Sequence, residues 1–75
     1  MKYLVVFEKA ARSYSAYVPD LPGCVATGRT RQQVEKRIRE AIDFHLAGLI
    51  EDRAEIPAPC AFAEYEEVTL ASGQP

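Results

Sequence analysis

The sequence predicts a small α+β domain with the order β-β-β-α-β. Three observations carry that prediction. Three short runs rich in Tyr, Val and Phe precede residue 28, one long stretch with helical apolar spacing follows, and a last strand-like run lies at Glu64–Leu70. The chain has 75 residues, of which 48% are hydrophobic and 27% charged. That balance is globular and the length allows one domain. Residues 1–70 are expected to form it, with 71–75 a disordered tail.

The first run, Lys2–Ala10, places Tyr3, Val5 and Phe7 on one face and Leu4 and Val6 on the other. Apolar residues on both faces suggest a central strand covered on both sides. The second, Tyr14–Val18, sets Tyr14, Ala16 and Val18 opposite Ser13, Ser15 and Tyr17. Pro19 cannot donate to a sheet ladder, so it ends this strand or sits at an edge. Pro22-Gly23 suits the middle of a type II turn, because proline fixes the first φ and glycine accepts a positive second φ. Strand character resumes at Cys24 and ends at Gly28. The stretch Tyr17–Gly28 is therefore a hairpin connection, with Asp20 and Leu21 expected exposed on it and available to a partner.

Thr30 and Gln33 have the spacing of a capping box, in which each side chain reaches the other residue's backbone amide. Behind them Val34, Ile38, Ala41, Ile42, His45, Leu46 and Leu49 form one stripe at three- and four-residue steps. Pro57 and Pro59 prevent the helix from continuing. In Glu64–Leu70, Tyr65, Glu67 and Thr69 alternate with Glu66, Val68 and Leu70. A right-handed crossover would lay this fourth strand beside the first and parallel to it.

Motifs for catalysis, metal or cofactor binding are not found. His45, the single histidine, lies on the apolar stripe and reads as a packed imidazole rather than a general base. Cys24 and Cys60 are far apart and read as free thiols of a reducing compartment. The acidic residues show no spacing that forces convergence on a metal. No phosphate loop, dinucleotide fingerprint or RNA-binding aromatic signature is present. The apolar run before Glu8 is too short for a signal-peptide core, and a cytoplasmic protein is expected. With no disulfide or metal to support so small a core, a homo-oligomer, first of all a dimer, is expected.

Charge is unevenly distributed. Arg29, Arg31, Lys36, Arg37 and Arg39 against Glu35 give residues 29–39 a net +4. Residues 40–75 carry a net −7, concentrated in Glu51, Asp52, Glu55, Glu64, Glu66 and Glu67. Such a surface suits a basic partner. The basic start of the helix, through Arg31, Arg37 and Arg39, is the alternative candidate, as a nucleic-acid contact.

The runs P-D-L-P-G-C at Pro19–Cys24, T-G-x-T at Thr27–Thr30, E-A-I-x-x-H-L at Glu40–Leu46 and I-P-x-P at Ile56–Pro59 occur in one order and spacing. Together they resemble the HicB-like antitoxin family over about Tyr3 to Pro59. The resemblance implies a partial ribonuclease-H-like fold without that nuclease's catalytic carboxylates. It implies a non-catalytic function, binding and neutralising a HicA-like toxin, a small basic mRNA-cleaving protein with a double-stranded-RNA-binding-like fold. On that reading the partner-binding residues are Asp20, Leu21, Glu51, Asp52, Glu55, Glu64, Glu66 and Glu67. Many family members add a C-terminal DNA-binding domain. This chain ends at Pro75, so direct operator binding is not expected of it.

Overall fold

The structure, a computed structural model, describes residues 1–71. Three strands form one antiparallel sheet in the order β1-β2-β3: β1 Val6–Lys9, β2 Tyr14–Tyr17 and β3 Val25–Gly28. The register sets Phe7 opposite Ala16 and Ala16 opposite Ala26. Side chains alternate across a strand, so this row and its neighbours Val5 and Tyr14 face one way. The helix α1, Arg31–Glu51, covers that face and packs on β2 and β3.

Ala16, Val18, Leu21, Cys24, Val34 and Ile38 are buried and make the core, with Tyr3, Val5, Tyr14, Ala26, Ala41, Ile42 and Leu46 packed around it. Every apolar helix position in this set belongs to the stripe read from the sequence. Val34 and Ile38 are fully covered, whereas His45, Leu46 and Leu49 are half-buried. Length explains the gradient. A four-residue strand is about 13 Å long and a 21-residue helix about 31 Å, so the second half of α1 extends past the sheet.

The hairpin turn forms as expected. The Leu21 carbonyl accepts from the Cys24 amide at 3.0 Å, and Gly23 has φ +83°. Leu21, however, is not exposed. It is 0% accessible, one of the two largest fully buried side chains. A turn held by Val18 and Cys24 on either side folds Leu21 back over the end of the sheet, where it caps the core.

The helix start is tighter than its cap alone requires. Thr30 Oγ1 accepts from the Gln33 amide at 3.0 Å, and Gln33 Oε1 accepts from the Arg29 amide at 2.7 Å, one residue earlier than the usual box. Gly28 permits this approach. A Cβ there would meet the backbone nitrogen of Val34 at 2.8 Å and its Cα at 3.2 Å. At the other end Arg53 takes φ +56°. Its amide bonds to Ile50 O and that of Ala54 to Leu49 O, satisfying the last carbonyls before the prolines.

The fourth strand is the main departure from expectation. Among the described residues the sheet has three strands, and Glu64–Leu70 is exposed without strand pairing. β1 is consequently an edge strand rather than a central one, and its outer face is open. Of the 71–75 tail expected to be disordered, residues 72–75 lie outside the described residues.

Gly28→Ala is expected to lower stability by about 1–3 kcal/mol, the range for forcing a group into a packed site. A urea titration followed by circular dichroism checks this; an unchanged midpoint would show that α1 is free to lift from β3.

Candidate partner-binding surface

Pro19–Asp20–Leu21 puts neighbouring side chains to opposite uses. Leu21 points into the core, while half-buried Asp20 faces the chain that leaves the helix. Asp20 Oδ2 accepts from the amides of Cys60 and Ala61, each at 3.0 Å, and Oδ1 accepts from the Cys60 thiol at 3.2 Å. Nearby, the Tyr3 hydroxyl donates to the Pro57 carbonyl. These contacts fasten Pro57–Ala61 across the turn end of the sheet. The Ala61 amide, the Cys60 thiol and the Cys60 amide hold the Asp20 carboxyl below its ordinary range against the opposing effect of burial. The same hydrogen bond and the Asp20 charge push the Cys60 thiol up, so Cys60 is a held donor rather than a nucleophile. Cys24 is buried, and burial pushes its thiol up as well.

The expected acidic residues divide into two groups. Glu51, Asp52 and Glu55 are exposed around the end of α1, and Glu64, Glu66 and Glu67 are exposed along the tail. Asp20 is not free in the same sense, because both carboxylate oxygens already hold the tail. Helix electrostatics leave the first group unneutralised. The first turn has no acidic residue and the last no basic one, so the charges at both ends oppose the helix dipole, at a cost of about 0.3–1 kcal/mol each.

The basic residues do not form one patch. Arg37 donates to the Thr27 carbonyl at 3.0 Å, on the β3 side of α1. Arg39 lies on the opposite flank, lining a groove of about 360 Å³ with Val5, Phe7, Glu35, Ile38 and Ile42. Arg31 is 3.8 Å from Glu35. Arg37 and Arg39 therefore lie on opposite flanks of the apolar stripe. His45 sits on that stripe, and none of the side-chain hydrogen bonds among the described residues involves it. Among the described residues no three His, Cys, Asp or Glu side chains gather as a metal site, and no helix is long and apolar enough to cross a membrane.

Two features escape sequence reading. On the sheet face away from α1, Val6, Tyr17 and Val25 are register partners and make a continuous apolar row, with Tyr17 and Val25 exposed. Their alternation is visible in the sequence, but their alignment depends on strand register. The second feature is the row of exposed apolar side chains on the tail, Phe62, Tyr65, Val68 and Leu70.

Comparison with known proteins places this geometry. The family model described as the HicB-like antitoxin of bacterial toxin–antitoxin systems matches residues 3–71. A chain of a solved HicA3 and HicB3 toxin–antitoxin complex superposes with a TM-score of 0.68 at 27% identity, covering 80% of this chain and 70% of that one. A 14.9 kDa protein of Haemophilus phage HP1 is 37% identical over 87% of this chain, which spans 49% of the phage protein. A UPF0150 protein of Helicobacter pylori is 40% identical over 63% of this chain and 65% of its own length. One from Thermoplasma acidophilum is 35% identical over 93% of this chain and 97% of its own length.

Asp20→Asn is expected to speed alkylation of Cys60 several-fold at pH 8 while leaving Cys24 protected. In the wild type the tail anchor should be fully present above the ordinary aspartate pKa and be lost as pH falls through the lowered value of the folded state. Hydrogen exchange at the Cys60 and Ala61 amides reads this directly, and protection that persists in the variant would remove Asp20 from the account.

Proposed function

The chain belongs to the HicB-like antitoxin family of bacterial toxin–antitoxin systems, and from that premise we propose that it is a non-catalytic module that binds and neutralises a small basic RNA-cleaving toxin of the HicA type. The observation that carries the reading is the match of a family model to residues 3–71. The acidic surface gives it a physical basis. Glu51, Asp52, Glu55, Glu64, Glu66 and Glu67 are exposed, and the first three cluster where α1 ends. An RNA-cleaving protein must present cations to phosphates, and a carboxylate-rich surface competes for those cations. Long-range attraction of this kind speeds encounter and selects the partner, while close packing slows release.

On this reading the protein acts in the cytoplasm, where its target's mRNA substrate is found, and it acts as a homodimer. On the same reading the domain is a partial ribonuclease-H-like fold, complete only when a fourth strand pairs with the open edge of β1. The nucleic-acid alternative receives less support, because Arg37 is tied to Thr27 and Arg39 lies on the other flank of α1.

Co-expression with a HicA-like toxin of the same organism should restore growth of cells that the toxin alone arrests; continued arrest with both proteins soluble would contradict the proposal. The triple variant Glu51→Gln, Asp52→Asn, Glu55→Gln should weaken toxin binding about three- to 150-fold at low salt, at about 0.2–1 kcal/mol per exposed charge. It should also flatten the salt dependence. A parallel Glu64/Glu66/Glu67→Gln variant reports on the tail separately. Wild-type affinity for either variant at low salt would remove that group from the interface.

A further inference from the structure

We infer that the protein is a strand-exchanged dimer, in which the tail of each copy, Glu64–Leu70, adds as the fourth strand to the free edge of the other copy's β1. This deepens the homodimer part of the proposed function and does not depend on the identity of the toxin.

Surface area is the first argument. A compact monomer of 8.3 kDa should expose about 4,600 Å², whereas this chain exposes 6518 Å². The excess, about 1,900 Å² per chain, is larger than four terminal residues can supply. Doubled, it falls within the ~2,000–5,000 Å² that obligate homodimers bury. The radius of gyration agrees. It is 15.8 Å, against about 11 Å for a compact domain of this length.

Part of the exposed surface is apolar and lies in the tail. Phe62 is 80% exposed, Tyr65 105% and Val68 72%. The tail is nevertheless aimed, because Asp20 holds Cys60 and Ala61 by their amides and the chain leaves that anchor in one direction. Along β1 runs a cleft of about 530 Å³, lined by residues 4–9 with Tyr14 and Arg31 on one side and Ala63 and Tyr65 on the other. The chain's own tail therefore stands off from its own β1 across an open gap, with β1's outer N–H and C=O groups facing that gap.

An unpaired edge of this kind is a template for another strand. A second copy's tail suits it chemically. The cleft holds Lys9, Glu8 and Arg31, the last 3.8 Å from Glu35, and the incoming segment carries Glu64, Glu66 and Glu67. Alternate residues of that segment, Glu64, Glu66, Val68 and Leu70, would fall on one face of the extended sheet, acidic at its start and apolar at its end. The groove between β1 and α1, lined by Val5, Phe7, Ile38 and Ile42, offers Val68 and Leu70 an apolar floor. Because each copy has one tail and one free edge, two reciprocal exchanges close the assembly with two-fold symmetry.

The test uses full-length protein, with isotope-labelled and unlabelled chains mixed one to one and refolded together. Light scattering should give twice the chain mass, and filtered NOE spectra should show intermolecular contacts between residues 62–70 and residues 4–9. Val68→Pro, which removes a ladder donor but suits an unpaired tail, should yield a monomer whose Ala16 and Val34 resonances are unchanged. A monomeric wild type would overturn the inference. So would a dimer whose tail-to-β1 contacts arise only within one chain, or one that persists unaltered in Val68→Pro. Toxin neutralisation by a non-exchanged protein would leave the functional reading standing while this inference fails.

Discussion

The turn at Pro19–Cys24 is the constraint on which the other parts depend. Its two central side chains, Asp20 and Leu21, act on different elements through one short backbone. Leu21 closes the end of the core between sheet and helix, and Asp20 fixes where the chain goes after the helix. The type II geometry at Pro22-Gly23 makes both possible, because it reverses the chain tightly enough for Leu21 to fold inward while Asp20 remains at the surface. Weakening the turn would open the core and release the tail together.

The size of the core explains much of the rest. Six buried residues and three four-residue strands give one helix face only half a platform, and the second half of α1 extends beyond it. The sheet's outer face keeps the row Val6–Tyr17–Val25 without cover. Small domains commonly complete such surfaces by association. A module that neutralises another protein benefits from the same incompleteness, because its free surfaces are where partners bind. Charge then separates the surfaces. Glu51, Asp52 and Glu55 lie around the end of α1, away from the basic start of the helix, so a cationic partner is drawn to that end of the molecule.

What the sequence made legible was mostly local. The Thr30–Gln33 cap, the positive φ at Gly23 and the stripe from Val34 to Leu49 each follow from residues within a turn or two of one another, where backbone sterics and helical period decide the outcome. The non-local features were harder to read. β1 looked central because both its faces are apolar, and nothing local says whether its outer edge is filled by the same chain. Leu21 looked exposed because turn residues usually are, whereas the hydrogen bonds of Val18 and Cys24 fold it back over the core. The use of Asp20 depended on residues forty positions away. For the partner surface, charge layout identified the acidic groups, but it could not distinguish the free carboxylates from Asp20, whose hydrogen bonds are already made.

The central claim is neutralisation by stoichiometric binding, and the most direct measurement is the rate of RNA cleavage by the purified HicA-like toxin as this protein is titrated into it. The account predicts a linear fall in rate to zero at a fixed molar equivalence, with relief of inhibition as salt is raised. Cleavage that continues unchanged past several equivalents at low salt, with both proteins folded, would contradict it.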